Sequence, residues 1–180
     1  GRWLEEVDHA SPAGTVVQPG VAEHVGTVAA TEHHGLAQVH VPHHRGTGAR
    51  VVDELGGLDI AVNNIGMLPK GRNTVPFVEM DGAYWRDVVD QNLVITALCA
   101  RAEAAAMIAR ARGGVILNVS SGETTRPSPL NATYAAAKAA INHLTTSMAV
   151  ELGPHGIRVI AVAPGTTLTE TVQAAFTDEH

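Results

Sequence analysis

Three short apolar runs divide the chain between positions 58 and 162. Each is rich in aliphatic or β-branched residues and is bounded by glycine or polar residues; the runs are 58–62, 115–119 and 157–162. Runs of this length and composition predict strands buried on both faces of a sheet. We expect a further strand at 36–41, and we assign no individual elements before it.

Two longer segments carry apolar residues at spacings of three and four. These segments, 84–112 and 131–152, predict helices with one buried face. Asn131 can cap the second helix, and Gly153-Pro154 should end it. Strands that alternate with helices are typical of an α/β domain in which helices cover both faces of a parallel sheet. We therefore predict a single doubly wound domain over residues 1–180, with 1–50 atypical.

Polar and turn-forming residues follow each of the three predicted strands. Asn63-Asn64, Ser120-Ser121 and Pro164-Gly165 come directly after the apolar runs or close them. In an open α/β sheet, ligands bind beyond the carboxyl ends of the strands. These residues should therefore lie together at the ligand-binding edge. Taken alone, a serine pair or a Pro-Gly pair is usually only a turn.

Composition excludes several classes of partner. A net charge of -6 without a lysine or arginine cluster argues against nucleic acid and against an anionic membrane. No uninterrupted apolar run reaches the ~18 residues of a membrane span. The chain does not show a charged start followed by an apolar stretch, and its single cysteine suits a reducing compartment, so we expect a cytoplasmic protein.

Tyr134 and Lys138 are the strongest candidates for chemistry. They are four residues apart on a predicted helix, so their polar ends can reach one point. An ammonium about 4 Å from a phenolate contributes roughly 4 kcal/mol at an effective dielectric near 20. That attraction could lower the tyrosine pKa by up to ~3 units, into the range of general acid–base catalysis. The alternative is a solvated helical face with no catalytic role.

Ser121 lies thirteen residues before Tyr134, and Asn92 lies further upstream in Asp90-Gln-Asn-Leu93. In this order the residues resemble the short-chain dehydrogenase/reductase family, over about 55–170. The resemblance implies that Ser121 holds the substrate oxygen, Tyr134 exchanges its proton and Lys138 assists. It also implies that Asn92 holds a water that passes protons to Lys138. The alternative for Asn92 is a hydrogen bond to neighbouring backbone. Ser120 does not match the family's serine position.

The resemblance also implies a Rossmann-like fold, incomplete at both ends, and a cofactor, NAD or NADP. The matching positions are Asn64, Gly66, Tyr134, Lys138, Pro164, Gly165, Thr167 and Thr169. Asn64 and Gly66 would lie against the ribose, and the loop from Pro164 to Thr169 would hold the nicotinamide. Ile65 stands where the family usually has alanine, and we expect its larger side chain to crowd that surface.

The first fifty residues depart from the family. They lack the Thr-Gly-x-x-x-Gly-x-Gly turn in which backbone amides and a helix N-terminus hold a pyrophosphate. Instead they contain seven of the ten histidines: His9, His24, His33, His34, His40, His43 and His44. Without cysteine or a helical His-x-x-x-His pattern, these histidines make a weak case for a metal, and we predict none. The segment is either a diverged strand–helix–strand unit or is not inherited from the family.

The combined prediction is an NAD(P)-dependent oxidoreductase that interconverts a hydroxyl and a carbonyl on a small organic molecule. The alternative is a non-catalytic fragment or pseudoenzyme that lacks the glycine-rich turn. Small residues on both predicted helices favour a homodimer or homotetramer; they are Ala97, Ala100, Ala104, Ala136, Ala139 and Ala140. Core packing inside one subunit explains the same residues equally well.

Overall fold

The computed structural model describes residues 26–31, 35–40, 57–66, 68 and 74–166, with only the backbone described in 26–31 and 35–40. The strands are β1 (Gly26–Thr31), β2 (Gly35–His40), β3 (Ile60–Asn64), β4 (Gly114–Val119) and β5 (Ile157–Val162). The helices are α1 (Gly82–Val89), α2 (Ile95–Arg110) and α3 (Ala132–Leu152), with a π-helical turn at Asp90–Val94 between α1 and α2. Single 3-10 turns lie at Phe77–Glu79, Gly122–Thr124 and Gly153–His155.

The sheet has the order β2-β1-β3-β4-β5. Strands β3, β4 and β5 are parallel, and their register sets Ala61 beside Ile116 and Ile116 beside Val159. The three apolar runs therefore form neighbouring parallel strands, as predicted, with β3 displaced by two residues. The expected strand at 36–41 is β2. The fold is the predicted Rossmann-like α/β class.

The two N-terminal strands correct one part of that prediction. β1 pairs with both β2 and β3 in the antiparallel direction, so the sheet is mixed. Only three residues join β1 to β2, and a connection that short permits only an antiparallel pair. Because Gly26 pairs with Asn64, β1 begins at the edge where β3 ends and runs away from it. β1 therefore ends at the opposite edge of the sheet.

One face of the parallel strands forms the main core. Ala61, Ile116 and Val159 are buried there, packed in one cluster with residues of α2 and α3. On the other face Ile60, Ile160 and Val162 are 43%, 41% and 39% exposed. The described helices thus cover one face, and the predicted cover of the second face is not found within the residues that the structure describes.

Both predicted helices form, with ends that local interactions explain. The first begins after Asp81, whose Oδ1 accepts a hydrogen bond from Tyr84 N at 2.8 Å, and it ends before Ala111, which has a φ of 53°. Asn131 precedes α3 as predicted, but its side chain makes no capping bond. Its φ of -126° and ψ of 25° differ from the extended conformation that caps use, and Oδ1 is buried without a partner.

The helical segment Gly82–Arg110 is long and apolar enough, by length and composition, to cross a membrane. Part of it is the inner face of α2, where Ala100, Ala104 and Met107 pack against the sheet. A core helix of a soluble protein passes the same test, so this property does not indicate a span. The packing also corrects the predicted association face, because Ala100 and Ala104 are buried inside the subunit.

Candidate active site

Lys138 lies at the carboxyl ends of two parallel strands. Its side chain is 1% exposed, and its ammonium donates hydrogen bonds to Ile65 O, just after β3, and to Val119 O at 2.9 Å, the end of β4. Burial lowers the pKa of Lys138 to about 8. The two carbonyls hold the ammonium at the edge where the sequence predicted a ligand.

Tyr134 lies one helical turn before Lys138, on the same face of α3. The Lys138 ammonium is 5.6 Å from the centre of the phenol ring. Burial raises the pKa of Tyr134 above its ordinary value, the Ser121 hydroxyl opposes this increase, and Glu123 adds to it. The expected decrease in the tyrosine pKa is therefore wrong for this structure, because desolvation of the phenol is the largest effect.

The two neighbouring serines have different positions. Ser121 lies at the N-cap of the 3-10 turn Gly122–Thr124, where its Oγ accepts a hydrogen bond from Glu123 N at 3.2 Å. The same hydroxyl acts on the Tyr134 phenol and opposes the rise in its pKa. Ser120 is buried, and its Oγ donates to Lys138 O at 3.2 Å. Ser121 thus caps the turn and also lies at the candidate site. Ser120 instead forms a hydrogen bond with the backbone of α3.

Asn92 is fully buried in the π-helical turn. Its Nδ2 donates to Val88 O at 2.8 Å, and its backbone carbonyl accepts from Thr96 Oγ1 at 2.6 Å. The side chain therefore makes the backbone bond that the sequence offered as the alternative. A π-turn is nevertheless a frequent feature of functional sites. The water-holding role of Asn92 stays a prediction.

The segment Asn64-Ile65-Gly66 forms the exposed border of the site. Asn64 and Gly66 are exposed, whereas Ile65 is 1% exposed and packs with Cys99 and Ile95. The expectation that Ile65 crowds the ligand surface is wrong, because its side chain points into the core. A Cβ on Gly66 would lie 3.4 Å from Lys138 Nζ and 3.7 Å from Tyr134 Oη. The backbone of Gly66 therefore leaves open the surface beside both groups.

The loop after β5 lies next to the turn that begins at Ser121. Gly122 N donates to Pro164 O at 2.7 Å. A Cβ on Gly122 would lie 3.4 Å from the Cα of Gly165. The structure thus brings Pro164 and Gly165 to the edge that carries Ser121. Thr167 and Thr169 lie outside the described residues.

A buried polar cluster below the site was not predicted from the sequence. Asn63 Nδ2 donates to Glu103 Oε2 at 2.9 Å and to Asn118 Oδ1 at 3.0 Å. Asn118 Nδ2 donates to Thr145 Oγ1 at 2.9 Å. Burial raises the pKa of Glu103 to about 7, against the opposing effect of the Asn63 hydrogen bond. The sequence did offer a sign of this cluster. Glu103 is an acidic residue among the alanines of a predicted helix, and Asn63 and Asn118 each stand near the end of an apolar run.

No group of three His, Cys, Asp or Glu side chains in the described part of the chain could hold a metal ion. Of the seven N-terminal histidines, only His40 falls on a described position, in β2.

Comparison with known proteins identifies the class and then the family. A family model described as short chain dehydrogenase matches residues 42–180. The Aspergillus oryzae protein named short chain dehydrogenase/reductase astE is 40% identical over 125 residues, which are 69% of this chain and 47% of that protein. This chain therefore has the Rossmann-type core of an oxidoreductase class. It belongs to the short-chain dehydrogenase/reductase family.

Two solved structures show the extent of the likeness. Acetoin dehydrogenase YohF from Salmonella typhimurium is 37% identical with a TM-score of 0.62, over 67% of this chain and 48% of that one. ElxO with NADP bound is 29% identical with a TM-score of 0.65, over 72% of this chain and 51% of that one. The chain thus spans about half the length of the relatives it matches.

Proposed function

We propose that the chain is an NAD(P)-dependent oxidoreductase that interconverts a hydroxyl and a carbonyl on a small organic substrate. The observation that carries the proposal is the convergence of three groups at one strand edge. The Ser121 hydroxyl is near enough to the Tyr134 phenol to act on its pKa, and the Lys138 ammonium lies 5.6 Å from the centre of the phenol ring. At a reacting carbonyl oxygen, a hydroxyl can donate a hydrogen bond, a phenol can donate a proton, and a cation can stabilise the negative charge that develops.

The protonation states of these groups suit a reduction near neutral pH. Burial raises the pKa of the Tyr134 phenol and so favours its protonated form, which can donate a proton to a substrate oxygen hydrogen-bonded to Ser121. A bound nicotinamide would supply the hydride for the carbonyl carbon. Proton transfer leaves a phenolate, which the Lys138 ammonium stabilises. With its pKa lowered to about 8, Lys138 still carries that charge at pH 7. Oxidation of an alcohol uses the same groups in reverse.

The residues around Gly66 fit the nicotinamide half of the cofactor. The exposed backbone of Gly66, where a Cβ would approach Lys138 and Tyr134, allows a ribose to reach both side chains. Asn64 would border the ribose, and Pro164, Gly165, Thr167 and Thr169 would form the loop at the nicotinamide. The relative ElxO binds NADP, and either NAD or NADP is compatible with this half. Asn92 would hold the water that returns protons to Lys138.

The test is reduction of acetoin, diacetyl and related small ketones with NADH or NADPH, comparing the wild type with Tyr134→Phe. The substitution removes only a hydroxyl, so we expect an unchanged fold and a loss of turnover of at least about a hundredfold. Tyr84→Phe is the matched control, because it removes the hydroxyl of the chain's other tyrosine. Full turnover by Tyr134→Phe would end the mechanism.

A second candidate is a non-catalytic member of the family, and one observation favours it. β1 is antiparallel to β3, so β1 ends at the opposite edge of the sheet from Lys138. A phosphate-binding turn in that place could not serve this site. Saturable cofactor binding without turnover of any ketone or alcohol would support this candidate.

We also propose that the protein is cytoplasmic and forms a homodimer or a homotetramer. Leu98 and Ile108 of α2 are exposed, with Leu98 57% exposed, and so is Val94 at the end of the π-helical turn. On α3, Val150 is 78% exposed, and Ala136 and Ala139 are also exposed. These apolar and small residues are suited to an isologous contact between two copies.

A further inference from the structure

Glu103 is a buried acid without a role in the proposed reaction. It lies on the inner face of α2, 4% exposed, in the same helix face as the core residues Ala100, Ala104 and Met107. One carboxylate oxygen accepts a hydrogen bond from Asn63, and the other, Oε1, is buried without a partner. Burying a carboxyl group with so few hydrogen bonds costs free energy. We therefore ask what its bond to Asn63 does for the structure.

Asn63 is one half of a side-chain hydrogen bond between strands β3 and β4, which we call the crosslink. Asn63 and Asn118 are register partners on β3 and β4, and a side-chain hydrogen bond of 3.0 Å joins them. Asn63 Nδ2 has two hydrogens, and these bond to Asn118 and Glu103. On the other side, Thr145 of α3 accepts from Asn118 at 2.9 Å. The crosslink is therefore anchored to both helices.

The crosslink lies directly below the carbonyls that hold Lys138. Ile65, whose carbonyl binds the ammonium, is two residues beyond Asn63. Val119, whose carbonyl is the second acceptor, is one residue beyond Asn118. The backbone ladder joins the two strands as far as Asn63 and Asn118, and the side-chain bond between these two residues is the last link before the carbonyls.

We propose that Glu103 is a positioning residue that acts through Asn63 and Asn118 to hold the two carbonyls around the Lys138 ammonium. Without Glu103, one hydrogen of Asn63 Nδ2 has no acceptor in a fully buried position, and Asn63 turns to find another. The strand ends then loosen, and water reaches the ammonium. The inference deepens the proposed function, in which Lys138 assists Tyr134, but its test does not require activity.

The experiment measures the pKa of Lys138 by NMR of lysine labelled with carbon-13 at Cε. The chain has only two lysines, Lys70 and Lys138, so Lys70→Arg assigns the signals. Glu103→Gln keeps an oxygen for Asn63 and removes the charge, whereas Glu103→Ala removes both. The comparison between these two variants therefore isolates the positioning effect from the charge effect.

We expect the pKa of Lys138 to be about one unit higher in Glu103→Ala than in Glu103→Gln, because hydration relieves the burial that lowers it. Met107→Ala, four residues later on the same buried face, is the matched control and should leave the pKa at its wild-type value. Equal pKa values in the two Glu103 variants, or the same rise in Met107→Ala, would overturn the proposal.

A third variant keeps the test decisive if Glu103→Ala does not fold. Thr145→Val preserves the size of the side chain and removes the acceptor of Asn118 on the α3 side. We expect a smaller rise in the Lys138 pKa, in the same direction. An unchanged pKa in a folded Thr145→Val protein would contradict the role of the crosslink.

Discussion

Replacement of Glu103 by glutamine should change how the stability of the fold depends on pH. In the folded chain, burial raises the pKa of Glu103 from 4.5 to about 7. The unfolded chain exposes the same group at its ordinary pKa. Well below pH 4.5 the carboxyl is protonated in both states, so its raised pKa does not reduce the free energy of unfolding. As pH rises from 4.5 to 7, the unfolded chain gives up the proton more readily, so the folded state loses stability.

The size of the effect follows from the difference between the two pKa values. At ~1.4 kcal/mol per pKa unit, the interval from 4.5 to about 7 corresponds to about 3 kcal/mol. That is a large part of the ~5–15 kcal/mol that stabilises a typical domain. Glutamine cannot ionise, so its variant lacks this pH dependence. In the variant, the side-chain NH2 of glutamine takes the position of Oε1, which has no hydrogen-bond partner. This lowers the free energy of unfolding by about 1–3 kcal/mol, by the same amount at every pH.

The assay is urea unfolding of the wild type and Glu103→Gln at a series of pH values from 4.5 to 7.5. We expect the wild type to lose about 3 kcal/mol relative to the variant across this interval. Glu151→Gln, which removes an exposed acid on α3, is the control and should follow the wild type. A constant difference in stability between the wild type and Glu103→Gln would show that Glu103 is not desolvated, and the reasoning would fail.

Three further predictions concern the site and the assembly. Lys138→Ala should shift the pH profile of turnover to higher pH and weaken cofactor binding, because the same ammonium stabilises the Tyr134 phenolate and binds the cofactor. An unchanged pH profile would contradict this. Ser121→Ala should lose turnover by at least about tenfold, whereas Ser120→Ala should lose stability and retain turnover; the reverse would exchange their roles. Light scattering at high micromolar concentration should give a dimer or tetramer mass, and a monomer would rule out the proposed assembly.

Hydrophobic patterning predicted most of the parallel core. Apolar runs and helical spacing depend on local sequence, which is why β3, β4, β5 and the helices at 82–110 and 132–152 form close to the predicted positions. The edge that carries the site followed from the same pattern, because the carboxyl ends of parallel strands meet. The direction of β1 did not follow, since strand direction depends on long-range pairing that periodicity does not encode.

Side-chain environments were harder to predict. The position of Ile65 depended on which face of the chain turns towards α2, and the sequence alone gave only the size of the residue. The pKa of Tyr134 depended on the balance between burial and the Lys138 charge, and burial is a property of the folded chain. Glu103 and its partners Asn63 and Asn118 meet only after three elements have packed together.

Calorimetric titration with NADH and NADPH tests the central claim most directly, using the wild type and Gly66→Val. The claim is that the surface beside Gly66, Tyr134 and Lys138 binds the nicotinamide half of the cofactor. We expect saturable binding of at least one cofactor to the wild type, weaker than about 1 μM because no phosphate-binding turn is recognisable. Gly66→Val should abolish that binding, since its side chain would occupy the open surface. Equal binding by Gly66→Val, or no binding by the wild type up to about 1 mM, would contradict the account.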